Sequence, residues 1–309
     1  MTIRVIKPGL FTSVQDRGRF GQAHLGISPC GAADVISLRI ANLLIGNDEY
    51  APALEMTLLG ATLAFESRAM IAITGANCEC KVGPNRIALN TTVEVTASSV
   101  LQCGGTTEGA RCYLAVQGGV EVPAVMGSAS TDIRGRFGGY QGRRLQAGDV
   151  LPIGHSYQAQ YRRLRAGALD EMRSQGAIRV TSGAQRHWFS NDSYAGFLGH
   201  SYTVSEQSDR AGLRLKGDAV ATRESKQLLT DGIPLGAIQM PQDGQPIILF
   251  VDQQTTGGYP KIANVIAADM HRIGQLRPRD GVRFAEVSIP EAVAALWVQE
   301  RWLREIWQD

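Results

Sequence analysis

With 309 residues, 44% of them hydrophobic, and a formal net charge of +2, the chain is long enough for roughly two domains. It is too weakly charged to argue for nucleic acid or an anionic membrane as a partner. Aromatic residues are sparse at 6%, and 35 glycines among short apolar runs favour a turn-rich, mainly β protein with a few helices. No apolar run approaches the ~18 residues of a membrane-spanning helix, and MTIRVIKPGLF lacks a signal-peptide core, so a cytoplasmic location is expected.

In chain order, residues 3–6 predict a short strand stopped at Lys7-Pro8-Gly9. The following stretch brings Asp16, Arg17 and Arg19 together among glycines. It reads equally as a solvated turn or as an arginine fork for an anion. Apolar spacing predicts a helix over 31–46, with Asp34 in its first turn and Gly46-Asn47 ending it. The small residues 28–32 at its start could present free N–H groups to an anion. Glu55 is a carboxylate in apolar company and needs a partner.

Residues 53–116 read as all strand, with segments 61–65, 69–74, 93–103 and 111–116 and turns at Gly75-Ala76-Asn77, Gly83-Pro84-Asn85 and Gly104-Gly105. Cys30, Cys78, Cys80, Cys103 and Cys112 are an odd set without disulfide spacing and read as reduced, structural thiols. The five histidines show neither H-x-x-x-H nor H-E-x-x-H spacing, so no metal site is expected.

GSASTDIRGRFGGYQGRR (127–144) interleaves Thr131, Asp132, Arg134, Arg136 and Arg143 with glycines. Backbone nests plus arginines can cradle phosphate or carboxylate, the reading favoured here over a mobile basic lid, although no P-loop or dinucleotide fingerprint occurs. A first module over 1–153, a polar linker over 154–176, a second module over 177–288 and a terminal helix over 289–309 follow from the pattern.

In the second module, Ser208-Asp209-Arg210 forms a polar loop between predicted strands. The apolar run 247–251 ends in Asp252 and is followed by Gln253, Gln254, Thr255, Thr256, Gly257, Gly258, Tyr259, Pro260 and Lys261, and then by a strand from Ile262 to Asp269. Alone, that loop is either a polar turn or a cluster of neutral hydrogen-bond groups with one cation. Ser288 with Glu291 reads as a capping box, and Val293, Leu296, Trp297, Leu303 and Trp307 are expected on one helix face.

Taken together, the stretches 9–27, 31–47, 53–65, 113–132, 205–215, 231–249 and 252–263 resemble the carboxyltransferase/allophanate-hydrolase-subunit-2 family. That family includes the C component of bacterial 5-oxoprolinase, the antagonist of the KipI kinase inhibitor, and half of the carboxyltransferase domain of urea carboxylase. The resemblance covers roughly residues 3–288. It implies two cyclophilin-like β-barrel modules and an active region completed by a KipI-like partner, the B component of 5-oxoprolinase. A LamB/YcsF-like A component is the further partner implied.

Length and the 127–144 loop resemble the 5-oxoprolinase branch, where ATP hydrolysis, with Mg, accompanies opening of 5-oxoproline to glutamate. The chain is expected to be inactive alone. On that resemblance Gln254, Thr255, Thr256 and Lys261 are the catalytic candidates. Arg17, Ser208, Asp209, Arg210, Gly257, Gly258, Tyr259, Thr131, Asp132, Arg134, Arg136 and Arg143 are candidates for holding substrate or phosphate. Two other readings compete: biotin-dependent carboxyl transfer, for which this chain has no A-M-K-M attachment site, and a regulatory KipI-binding role without chemistry.

Overall fold

The computed structural model describes residues 1–154, 162–172, 176–224 and 228–308. The chain divides into two compact units. One comprises Met1–Phe20, Cys30–Ala168 and Ile306–Asp309; the other comprises Gly21–Pro29 and Leu169–Glu305. Of the expected linker, residues 155–161 and 173–175 lie outside the described residues. Both units are built on curled β-sheets, one a half-barrel and one nearly closed.

The first unit carries β1 (Thr2–Lys7), β2 (Phe11–Gln15), helix α1 (Val35–Leu44), β3 (Ala53–Thr57), β4 (Thr62–Phe65), β5 (Ala69–Val82), β6 (Asn85–Ile87), β7 (Thr92–Val95), β8 (Val100–Val116) and β9 (Val150–Pro152). The sheet order is β2-β3-β8-β4-β1-β9, with β5 on β8 and also bonded to β6 and β7. Alternation decides which face is inside. In β4 the side chains of Leu63 and Phe65 turn inward while Thr62 and Ala64 are half-buried. Ile3, Val14, Leu54, Ile71, Leu101 and Leu114 belong to the same core. A short strand β10 (Arg163–Leu164) pairs with Trp307–Gln308.

Two of the expected turns do not form. β5 runs straight through Gly75-Ala76-Asn77 and β8 through Gly104-Gly105. The ladder between them shifts register at Gly75/Asn77, Asn77/Cys78 and Cys78/Cys80. Glycines inside a strand pattern mark bulges as readily as turns, and here they bend a long pair rather than end it. All five cysteines are free and buried. Cys78 Sγ lies 3.3 Å from Cys112 Sγ and 3.5 Å from Cys80 Sγ.

Helix α1 starts four residues later than the apolar spacing suggests. Asp34 is its N-cap, accepting from Ser37 N (2.9 Å) and Ser37 Oγ (2.6 Å). Cys30 before it is buried at φ +53°, outside helical backbone. Of residues 28–32, expected to present free N–H groups to an anion, Ala32 N donates to Asp16 O (2.9 Å), and the next two N–H groups are engaged as well. Ala33 N donates to Glu55 Oε2 (2.8 Å) and Asp34 N to the Tyr113 hydroxyl (2.7 Å), which itself donates to Glu55 Oε2 (2.7 Å). Burial first, then the Glu55 and Asp34 charges, push the Tyr113 hydroxyl well above the ordinary tyrosine range, so it stays a donor. Glu55 thereby finds its partners inside the protein.

The second unit carries β11 (Ile178–Ser182), β12 (Tyr202–Val204), β13 (Gly212–Lys216), β14 (Asp231–Gly232), β15 (Ala237–Gln239), β16 (Ile247–Leu249), β17 (Thr256–Gly257), β18 (Lys261–Val265), β19 (Gly281–Val282) and β20 (Phe284–Glu286). The main sheet runs β19-β12-β13-β16-β15-β18-β11-β20, and β14 pairs with β17 as a separate ribbon. Phe197 stacks on Phe284 at 4.8 Å and packs near Tyr202 in the core.

The strand expected from Ile262 to Asp269 stops at Val265, and a 3-10 turn over Ala267–Asp269 takes over. Asp269 explains the change. Its buried carboxylate accepts from Arg179 N (2.8 Å), Arg179 Nη2 (2.6 Å) and Arg272 Nη1 (3.2 Å), tying the turn to β11. Burial pushes its carboxyl up, but the Arg179 hydrogen bonds and the two guanidinium charges outweigh that and hold it below the ordinary aspartate range. Asp269→Ala is expected to cost about 3–5 kcal/mol, read by urea denaturation. Because the folded pKa is depressed, wild type keeps this contribution above the ordinary aspartate pKa and loses it only as pH falls through the folded value.

The terminal helix spans Ile289–Glu305. The capping box forms as the sequence predicts, with Ser288 N donating to Glu291 Oε2 at 2.7 Å and Glu291 N to Ser288 Oγ at 3.4 Å. The expected single apolar face does not hold. Gln299 and Leu303 are buried, while Val293 and Trp297 are 49% and 66% exposed. Trp307 lies beyond the helix, in the strand pairing with β10. Gln299 docks because its amide reaches Ala268 O (2.8 Å), a polar anchor that hydrophobic spacing does not register. Among the described residues, no helix is long and apolar enough to cross a membrane.

Candidate functional site

The loop after β16 folds back through β17 and enters β18 at Lys261. Lys261 is 4% exposed and sits opposite Gln239 in the β15–β18 ladder. Its Nζ donates to Asp231 Oδ2 (2.8 Å) and Gly232 O (3.2 Å), so the lysine binds the ribbon strand β14. Its backbone N donates to Gln185 Oε1 (3.1 Å). Hydrogen bonds from Lys261 first, and then from Gly232 N, hold the exposed Asp231 carboxyl below its usual range.

Amides crowd this place. Gln253 is 3% exposed and its Nε2 donates to Ile233 O (3.0 Å), while Ser28 Oγ donates to Gln253 O (2.5 Å). Thr255 O accepts from Ile233 N (3.0 Å). A Cβ on Gly257 would lie 2.7 Å from Ile233 Cδ1, 3.0 Å from Gln239 Nε2 and 3.6 Å from Gln254 Nε2, so any larger residue here would displace the ends of those side chains. Gln254, Thr256 and Tyr259 are exposed, and Thr255, Gly257 and Gly258 are half-buried. The arrangement supplies neutral amide donors and acceptors and hydroxyls around one lysine, a set suited to a polar, uncharged group such as a carboxamide.

The Ser208-Asp209-Arg210 loop is built around its own backbone. Asp209 Oδ1 accepts from Ala211 N (2.8 Å) and Gly212 N (3.1 Å), and Ser208 Oγ accepts from Arg214 N (3.0 Å). Arg210 turns inward to a buried fork with Asp252, at 2.9 and 3.0 Å. It thus braces the residue immediately before Gln253.

In the first unit a second group assembles. The Asp16 carboxylate accepts from Gly18 N (2.8 Å), Ser128 Oγ (2.6 Å), Ala129 N (2.6 Å) and Ser130 Oγ (2.5 Å). Arg19 is 2% exposed, donates to Ser130 O, and lies over the Phe137 ring at 4.8 Å. Thr131 Oγ1 donates to Val14 O (2.9 Å), and Asp132 Oδ1 accepts from Gly135 N (2.7 Å). Gly139, at φ +50°, packs so closely on Thr131 that any Cβ would overlap its hydroxyl. Of the expected anion-holding arginines, Arg143 forms a fork with Asp149 at 2.7 and 2.8 Å, and Arg17 lies over the rings of Phe20 and Tyr50. Arg134 and Arg136 are exposed. Among the described residues, no group of three or more His, Cys, Asp or Glu side chains is arranged to hold a metal ion.

Local sequence thus marks Gln253, Gln254, Thr255, Thr256 and Lys261 but not Gln185, Asp231 and Gln239, which the fold brings beside them. Asp231 and Gln239 lie in the stretch 231–249 already singled out for its resemblance. The available signal was Gln239, an amide between Ile238 and Met240 in an otherwise apolar stretch.

Residues 25–286 match the family described as carboxyltransferase domain, subdomain A and B. The chain belongs to this family. It is 40% identical to the 5-oxoprolinase C component of Escherichia coli over 98% of this chain and 97% of that protein. The corresponding protein of Haemophilus influenzae is 37% identical over 95% and 94%. Among solved structures, the urea amidolyase and the urea carboxylase of Kluyveromyces lactis each superpose with a TM-score of 0.92 at 31% identity over 99% of this chain. The chain spans only 20% and 29% of those two larger proteins.

Proposed function

We propose that the chain is the C component of a multi-subunit, ATP-dependent 5-oxoprolinase that opens 5-oxo-L-proline to L-glutamate. The observation that carries this reading is the end-to-end match to a stand-alone relative of that name, 97% of which is covered at 40% identity. The urea-processing relatives match through a fraction of their length. The site chemistry is compatible, because a lactam presents one carbonyl acceptor and one N–H donor, and the Lys261 neighbourhood is built from amides. In the reaction, ATP phosphorylates the lactam oxygen and water adds to the carbon bearing it. The ring C–N bond breaks as the nitrogen takes up a proton and leaves as the amine, and a second water releases phosphate from the resulting acyl phosphate. This chain's part is to orient the lactam through Gln254, Thr255 and Thr256. Lys261 answers the negative charge that develops as water adds to the carbonyl carbon. The partners in this reading are the KipI-like B and LamB/YcsF-like A components, which complete the site.

A second reading, carboxyl transfer from biotin carried by another protein, is favoured by the 0.92 TM-score to urea carboxylase. Purification with the co-encoded partner proteins, followed by an ADP-release assay, separates the two. Dependence of ADP release on 5-oxoproline, without biotin, is the expected result. Activity that appears only with a biotinylated partner overturns it, and binding without turnover points to a regulatory role.

A further inference from the structure

We propose that Gln239 and Gln253 are the residues that read the substrate's amide group. Gln239 Nε2 donates to the substrate carbonyl, and Gln253 Oε1 accepts the substrate N–H. The site then selects a carboxamide over an ester of the same shape. The proposal deepens the 5-oxoprolinase reading by naming what recognises the substrate, and rests on that reading only for which amide is bound.

Both side chains are almost wholly buried, at 2% and 3% exposure. Each nevertheless leaves one polar atom without a hydrogen-bond partner among the described residues, Nε2 of Gln239 and Oε1 of Gln253. Native interiors rarely tolerate such groups, and two of opposite type in one neighbourhood call for a ligand of matching type. The Gln253 orientation is set by its bond to Ile233 O, which turns Oε1 away from that carbonyl. Gln239 Nε2 is set beside Gly257, which also faces the Ile233 side chain, while Gln253 holds the Ile233 carbonyl, so both amides lie around Ile233. A donor and an acceptor presented together complement –CO–NH–, whereas a lactone offers the carbonyl and no N–H. Neither atom reaches solvent. The β14–β17 ribbon, to which Gly257 belongs, pairs only two residues on each side and is fastened by the Lys261–Asp231 pair. So short a pairing opens easily, which gives an amide its way in.

The test uses the full-length chain with glutamine side chains labelled by nitrogen-15, titrated with 2-pyrrolidinone and, separately, with γ-butyrolactone. Pyrrolidinone is expected to shift the two side-chain resonances that disappear in Gln239→Met and Gln253→Met, and the lactone to bind at least about tenfold more weakly. Each variant should weaken pyrrolidinone binding roughly tenfold, while Gln239→Met melts no lower than wild type because an unpaired buried amide has been removed. The proposal is overturned if the lactone binds as well as the lactam. It also fails if Gln239→Met binds pyrrolidinone as wild type does, or if neither resonance responds, as for amides satisfied by buried water. Absence of 5-oxoproline-dependent ADP release by the complex, with amide binding intact, overturns the functional reading and leaves this one standing.

Discussion

Lys261→Met is expected to lower kcat/KM of the assembled complex by roughly 10²–10³-fold, the usual loss when a charge-stabilising donor is removed from an active site. Nζ has three N–H groups, and two of them are held by Asp231 and Gly232 O. The third remains for the substrate. Methionine keeps the length and apolar stem of the buried side chain, so stability should change by less than about 1.5 kcal/mol. Asp231→Asn is the informative companion. It removes the countercharge but keeps Lys261, and if the lysine acts on the substrate the loss should stay below about tenfold. Equal losses in the two variants, measured by steady-state kinetics, would instead make the pair a fastening for the β14–β17 ribbon.

Asp16→Ala should destabilise the first unit by about 3–5 kcal/mol, as much as Asp269→Ala does the second. Four donors converge on that carboxylate, two of them serine hydroxyls and two backbone N–H groups, and alanine leaves all four without an acceptor. The loop 127–142 depends on these bonds for its anchorage, since Ser128, Ala129 and Ser130 form its start. Thermal denaturation and limited proteolysis within 127–142 measure the outcome. Asp16→Asn, which keeps one acceptor oxygen, should lose markedly less. An unchanged melting temperature for Asp16→Ala would show that Arg19 and the Thr131 contacts hold the loop by themselves.

Much of the fold was legible because its signals are local. Alternation in 61–65, the Gly83-Pro84-Asn85 turn and the Ser288–Glu291 capping box each involve residues close in sequence, where side-chain direction follows from backbone period. Expectation failed where distant contacts overrode local preference. Gly75 and Gly104 look like turns until β5 and β8 pair over their whole length and absorb the glycines as bulges. Asp269 looks like the end of a strand until Arg179, ninety positions earlier, recruits its carboxylate.

The site divides in the same way. The sequence by itself marked the family and the glycine–threonine loop, because a run such as DQQTTGGYPK carries its hydrogen-bonding groups and its backbone freedom in adjacent positions. It also marked the arginine-rich loops. Only the tertiary structure decided which of those charges face partners. Arg210 turned to Asp252, Arg143 to Asp149, and Lys261 to Asp231, since a charge taken out of water must meet its complement wherever the fold brings one. It also brought Gln239 to Gly257 and Gln253 to the Ile233 carbonyl, each with one unpaired polar atom. An unpaired group is a property of three-dimensional surroundings, and no spacing along the chain encodes it.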